Sequence, residues 1–269
     1  MSALTFTLKT ATQQRIDCAP LTPDFLAGKS AAEIATVMLQ CGKQKLRADA
    51  LFDISGDDAS DIVIQNGNGK LDFIGSGMKS GRITVHGSAG SYLGFQMRKG
   101  EIVLHGNADA YAASGMAGGS LHIHGNVGDF LASAIPGDRK GMKGGLVIVT
   151  GNAGDRVGDQ MRRGIVLIEG SVGAYCASRM LAGTIGVMGS VGDYVGFGMR
   201  RGTLLLFSTP KLHSTIQDCG SHTLPFLSLM FKSFKNFPSK FAGLNQNRVR
   251  RFAGDLANDG KGEILVFAA

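Results

Sequence analysis

The 269-residue chain has no tryptophan, only 6 prolines and 4 cysteines, and no long uninterrupted apolar run. Each scarcity excludes something. A bilayer crossing needs roughly 20 consecutive apolar residues, and no window supplies them. Cys18, Cys41, Cys176 and Cys219 are far apart and form no C-x-x-C pair, so neither a zinc site nor a disulfide framework is suggested, and reduced thiols in a cytoplasmic protein are expected. Met1 to Lys9 alternate apolar and polar residues and hold no signal-peptide core. Glycine, by contrast, occurs 40 times and hydrophobic residues make up 43% of the chain. With so little proline this is not collagen, and with so much apolar content it is not a disordered linker. The net charge of +7 suits an acidic partner: nucleic acid, an anionic membrane, an acidic protein or an acidic cofactor tail.

The glycines belong to a repeat. Methionine is followed three residues later by glycine at Met78/Gly81, Met97/Gly100, Met116/Gly119, Met142/Gly145, Met161/Gly164, Met180/Gly183 and Met199/Gly202. Successive methionines are 19 residues apart, except for one step of 26. Six residues after each of those glycines but the last stands another, from Gly87 to Gly189, followed by Ser or Asn and then Ala or Val. Between the two glycines the second and fourth positions are always aliphatic: Ile83 and Val85, Ile102 and Leu104, Leu121 and Ile123, Val147 and Val149, Val166 and Ile168, Ile185 and Val187, Leu204 and Leu206. Alternate positions of a strand share a face, so these pairs are the expected core. One such unit cannot bury its apolar face alone. Stacked at ~4.8 Å, seven of them form parallel ladders around one interior.

The expectation is therefore an all-β chain, a right-handed parallel β-helix of about seven 19-residue turns, its hand taken from the rule for parallel crossovers. A left-handed hexapeptide-repeat helix would need a period that is a multiple of six. Three parts follow: an N-terminal cap, 1–60, with a short helix; the β-helix, 61–210; and a C-terminal cap, 211–269, with a helix and a final strand. The first helix is expected over Ser30 to Gly42, with Ser30 and Glu33 as its capping box and Ile34, Val37, Met38 and Cys41 on one face. Leu224 to Phe234 is the second, packed through its phenylalanines on the last turn, and Gly262 to Phe267 is the closing strand.

Glycines suit corners that need positive φ or a close backbone approach, and methionines suit a flexible core filler. Tyr92, Tyr111, Phe130, Arg156, Tyr175 and Tyr194 form a further column, read as a stacking ladder or as a platform for a planar ligand. Constellations for catalysis are missing. His86, His105 and His124 recur on consecutive turns, with His122 nearby, but a flat ladder supplies tetrahedral metal ligands poorly, so no metal site is assigned. The G-x-G strings lack the helix that a phosphate-binding loop opens.

Two surface signals remain. The outward strand position reads Thr84, Val103, His122, Ile148, Leu167, Gly186 and Leu205, with Met188 and Phe207 beside it; an apolar patch of Val103, Ile148, Leu167, Met188, Leu205 and Phe207 is expected to meet a partner. The positions after each methionine carry Lys79, Arg98, Lys99, Lys143, Arg162, Arg163, Arg200 and Arg201, interrupted at Ala117 and Leu181, a basic edge suited to an extended polyanion or simply to solvent. The 7-residue insertion within Ser133 to Gly141 must bulge, offering Arg139 and Lys140 to a partner.

The stretches Gly87 to Gly100, GSAGSYLGFQMRKG, and Gly189 to Gly202, GSVGDYVGFGMRRG, resemble the glycine-rich β-helix domain shared by the C-terminal part of glutamate synthase large subunits and the C subunits of the formylmethanofuran dehydrogenase family. Without amidotransferase, flavin or iron-sulfur portions, a free-standing C subunit is the closer match, and Phe252-Ala-Gly-Asp-Leu256 with Gly260-Lys-Gly262 extends the likeness to most of the chain. The family has a bacterial form, in the formyltransferase/hydrolase complex of methylotrophs, and an archaeal form, in tungsten or molybdenum dehydrogenases; the bacterial form is favoured. The resemblance implies a non-catalytic docking subunit in one-carbon (formaldehyde) oxidation linked to tetrahydromethanopterin and a furan cofactor, with amidohydrolase-like and formyltransferase subunits as partners. It implies no tightly bound cofactor, although the basic edge matches in charge the glutamate-rich tail of a methanofuran-like carrier. A carbohydrate-active β-helix enzyme, which would want clustered carboxylates and tryptophan, is the alternative from another class. Neither nucleic acid nor membrane is expected as a partner.

Overall fold

In the computed structural model residues 2–267 are described; Met1, Ala268 and Ala269, at the outer ends of the two expected caps, lie outside them. The chain is mostly β, with one mixed sheet of thirteen strands and a second of four. Among the described residues no helix is long and apolar enough to cross a membrane.

All seven repeat strands form, from Arg82–Gly87 to Thr203–Leu206, and pair in parallel with core position set on core position. Ile83 lies against Ile102, Leu121 against Val147 and Val166 against Ile185. Both aliphatics of every pair are at most 1% exposed, and each side chain so buried contributes about 1.5–3 kcal/mol. The ladder also runs past the repeat. Asp58–Gly67 and Ala3–Leu8 add parallel rungs before it, Ile62 on Ile83 and Leu4 on Ile62, and Glu263–Phe267 adds one after it, Ile264 on Leu204. Asp58–Gly67 falls almost wholly inside the expected β-helix, while Ala3–Leu8 and Glu263–Phe267 come from the segments expected as caps and still supply core strands, because a rung needs the i, i+2 apolar pair but not the glycine corners. Antiparallel strands finish each edge: Phe52–Ser55 on one side, the hairpin Gln217–Thr223 and Arg248–Ala253 on the other.

Two more columns stack behind the sheet. Parallel bridges join Ala89, Ala108, Val127, Ala153, Val172 and Val191 in series. A third column of Leu93, Ala112, Leu131, Val157, Cys176 and Val195 is fully buried, as are the repeat methionines from Met78 to Met199. Burial pushes the Cys176 thiol up to about 12, which keeps it a neutral apolar filler.

The methionine-glycine spacing has a packing cause. Gly164 has φ +107, and a Cβ there would come within 2.7 Å of Met142 Cε from the preceding repeat. The methionine tip occupies the space that the missing side chain leaves. The same contact recurs down the stack and ends with Met199 over Gly262, so the final strand stands where an eighth repeat would. The second glycine of each unit answers to close approach instead: a Cβ on Gly106 would lie 2.1 Å from the Gly87 carbonyl oxygen. The Asn or Ser that follows locks the corner. Asn107 Oδ1 accepts from Asn126 N, Asn126 Oδ1 from Asn152 N, and Asn152 Oδ1 from Ser171 N, all at 2.8 Å.

The N-terminal helix is shorter than expected. Ser30 and Glu33 do form the capping box, but the helix covers only Ala31–Ala35. Met38–Cys41 is a strand, paired antiparallel with Gln44–Arg47, and Gly42, at φ +56, turns that hairpin instead of stopping a helix. Leu39 and Cys41 alternate inward while Met38 is exposed, so the period is two. At the other end Pro225–Phe234 is a helix with proline in its first turn, and Leu227, Phe231 and Phe234 form its buried face.

Candidate functional site

The basic edge is built by backbone register. Arg98 N donates to the Met78 carbonyl (2.8 Å), Lys143 N to Met116 (2.6 Å), Arg162 N to Met142 (2.8 Å) and Arg200 N to Met180 (2.9 Å). Each bond sets the residue after a methionine directly above its counterpart one repeat earlier. Lys79, Arg98, Lys143, Arg162 and Arg200 therefore form one column, broken at Ala117 and Leu181, with Lys99, Arg163 and Arg201 beside it. All eight side chains are exposed. Among the described residues none of the eight side chains forms an ion pair, whereas those of Arg82, Arg179 and Lys240 each do; Asp24 lies beside Lys79, accepting from its backbone N–H. Unneutralised cations one strand spacing apart produce a positive potential along that edge.

The expected apolar patch is not open. Ile148, Leu167 and Leu205 are at most 1% exposed and Val103 is buried. The chain's own C-terminal segment covers the later turns: Leu227, Phe231, Phe234, Phe241 and Phe267 pack on Ile148, Leu167 and Leu205, with Met188 and Phe207 partly buried against them. In the later turns the outward column forms a second core, between the sheet and the helix, which accounts for its apolar residues there. Between Phe226 and Phe241 the chain alternates phenylalanines with lysines: Phe231, Phe234 and Phe241 are buried in this contact and Phe237 packs at its border, while Phe226, Lys232 and Lys235 are exposed.

The histidine ladder is present. His86 and His105 stack at 5.0 Å between ring centroids, as do His105 and His124, and His122 meets His124 edge-on. Burial, then the His124 and His86 rings and Arg82, hold His105 below its ordinary range; burial and then His124 do the same for His122. Among the described residues no group of three or more His, Cys, Asp or Glu is arranged to hold a metal ion.

The aromatic column stacks as well. Tyr92 lies on Tyr111 at 5.1 Å, Tyr111 on Phe130 at 4.7 Å, Tyr175 on Tyr194 at 4.8 Å, and Arg156 covers the Tyr175 ring at 4.5 Å. Phe73, 19 residues before Tyr92, is the first member at 4.7 Å; the period alone would have found it. Every residue of the column has φ between +58 and +64, a left-handed conformation that costs about 1–2 kcal/mol without glycine, while a stacked pair contributes about 0.5–1.5 kcal/mol. Stacking and cross-repeat backbone bonds together hold the corner.

The insertion within Ser133 to Gly141 leaves Arg139 and Lys140 exposed and brings Arg139 to the same cavity as Arg200 of the basic edge. Between them stands Arg179, which the sequence reading did not single out. It precedes Met180, where other repeats carry glycine or glutamine, and its guanidinium pairs with the buried Asp159. Asp159 also accepts from Ser178 Oγ at 2.8 Å.

Comparison with known proteins follows the same lines. A model of the GXGXG motif family matches residues 63–223. The C subunit of the formyltransferase/hydrolase complex Fhc of Methylorubrum extorquens is 39% identical over 80 residues, a segment that spans 30% of this chain and 30% of that protein. A chain in the crystal structure of the FhcABCD complex from Methylorubrum extorquens with methylofuran superposes with a TM-score of 0.94 at 38% identity, over 98% of this chain and 100% of that one.

Proposed function

Because the chain belongs to the GXGXG motif family, together with the C subunit of the formyltransferase/hydrolase complex, we propose that it is a non-catalytic scaffold subunit of such a complex in the cytoplasm, acting in furan-cofactor-linked one-carbon oxidation. The observation that carries the reading is the likeness over the whole length of both chains. The catalytic work falls to amidohydrolase-like and formyltransferase partners, and this chain positions them.

We read the stacked repeats as a right-handed parallel β-helix over 61–210, with 1–60 and 211–269 as its caps. Three columns of parallel contacts recurring every 19 residues support a coil with three sides, and the crossover rule supports its hand. Such a rod gives partners a stiff, extended surface. Since the apolar column is covered, docking falls in this reading to the exposed basic edge and the insertion, through Arg139 and Lys140 among others.

The basic edge, in this reading, also retains the acidic tail of a methanofuran-like cofactor. Affinity purification of the tagged chain from its native cell, with identification of what co-elutes, tests the assignment to such a complex: amidohydrolase-like and formyltransferase chains in fixed ratio are expected, and their absence overturns it. Replacing Arg162, Arg163, Arg200 and Arg201 with alanine tests the tail. Cofactor content of the purified complex should fall, and unchanged content removes that part of the reading.

A further inference from the structure

We propose that the cavity between the insertion and the later repeats is a binding site for a small anion bearing several carboxylates. It has a volume of ≈ 370 Å³ and is lined by Arg139, Gln160, Arg179, Leu181, Arg200 and Asn258, with Gly198. Three arginines from three different parts of the chain line one concavity: from the insertion, the position before Met180 and the position after Met199. Guanidinium forks bind carboxylates through paired N–H donors, with geometric fit as well as charge.

The site is built before any ligand arrives. With its amide turned so that the nitrogen faces the insertion, the Gln160 side chain satisfies the carbonyls of Asp138 (3.3 Å) and Arg139 (3.1 Å), which its oxygen cannot. Ala134 N donates to the Asp159 carbonyl (3.0 Å) and Gly141 N to the Gln160 carbonyl (2.9 Å), so both ends of the insertion are tied to the next repeat. Arg179 is held by Asp159, which spends that carboxylate. Asp255, near Asn258, accepts from Gly198 N (2.8 Å), Ala257 N (3.0 Å) and Asn258 Nδ2 (3.2 Å); these neutral donors fix it in place and leave its one negative charge against the two unpaired arginines. Arg139 and Arg200 face the cavity without an acidic partner among the described residues. Preformed donors lower the ordering cost of binding, and a net positive concavity focuses anions more than a flat edge does. A second cavity of ≈ 250 Å³ shares Gln160 and Arg179 and is walled by Tyr111, Phe130 and the insertion, so a ligand body larger than its carboxylates has room.

The inference deepens the reading of the basic edge and shares Arg200 with it, but Arg139 and Arg179 lie outside that edge, which makes the two separable. The test is calorimetric titration of the full chain with citrate, inorganic phosphate and a tetraglutamate peptide, in parallel with Arg139→Gln, which alters the cavity alone, and with the double variant Arg162→Gln/Arg163→Gln, which alters the edge alone. Saturable one-to-one citrate binding, weaker for phosphate, weakened about tenfold or more by Arg139→Gln and unchanged in the edge variant, is the expected result. The site is overturned by absence of saturable citrate binding, or by an equal loss in both variants, the mark of diffuse charge. If tetraglutamate binding falls only in the edge variant while citrate does not bind, the tail reading stands and this site falls. If citrate binds as expected while tetraglutamate does not bind at all, the site stands and the tail reading falls.

Discussion

The ring of Phe241 sits in the gap left by Gly186: a Cβ on that glycine would come within 2.7 Å of Phe241 Cε1. This contact joins the C-terminal segment to the sixth of the seven repeat strands, Thr184–Val187. It also explains why the outward column, apolar at Ile148, Leu167 and Leu205, is interrupted by a glycine at that rung.

Gly186→Ala should push the ring out of its seat and lower stability by about 1–3 kcal/mol, as overpacking does. Phe241→Ala should cost about 3–5 kcal/mol. Denaturant unfolding checks both, and a Gly186→Ala protein as stable as wild type would show that the segment is only loosely attached.

The Met142 tip and Gly164 are coupled through one shared space. Gly164→Ala alone is expected to destabilise through its φ of +107 and its approach to Met142 Cε. In a Met142→Ala background the same substitution should cost less, because the tip has gone, with a coupling of about 0.5–3 kcal/mol in the double-mutant cycle. Additive costs would mean that backbone strain alone sets the need for glycine.

The histidine ladder gives acid sensitivity of a defined sign. His105 and His122 have folded pKa values below the ordinary range near 6.5, so the unfolded chain binds protons more readily. The contribution is fully present above pH 6.5 and is lost as pH falls through the lower folded values. Arg82 adds to the repulsion at His105, while Glu101 and Glu169 oppose it at His122. The melting temperature should drop between pH 7 and 5.5, and His105→Gln should flatten part of that drop. An identical profile in wild type and variant contradicts this.

Tyr111 tests the aromatic ladder. Tyr111→Phe keeps both stacks and should change stability by less than about 0.5 kcal/mol. Tyr111→Ala removes the contacts with Tyr92 and Phe130 and leaves a left-handed backbone to alanine, at a cost of about 1–3 kcal/mol. Thermal unfolding separates the two, and a costly phenylalanine variant would point to the hydroxyl.

Much of this was legible in the sequence because one period organises it. Equal spacing placed the aliphatic pairs, the methionines, the stacked histidines and the basic edge correctly, each being a local pattern carried by register. Contacts between distant segments were not legible. Nothing in the repeat says that Phe241 will return to Gly186, so the covered column at Leu167 read as a docking surface. Nor does Met38 announce a strand, since Ser30 and Glu33 start a helix and the switch in period comes only after Val37. Arg179 was passed over because a single arginine in a glycine column looks like variation until the insertion brings Arg139 beside it.

The most direct measurement is the formyltransferase/hydrolase activity of the co-purifying partner subunits with and without this chain, and with variants of its titratable side chains. A scaffold should raise activity by restoring assembly, while every single His, Asp, Glu or Cys substitution leaves kcat within about twofold once the complex has formed. One substitution in this chain that lowers kcat by about 10²–10⁴, the loss expected for a catalytic acid or base, in a complex that still assembles, would contradict the account.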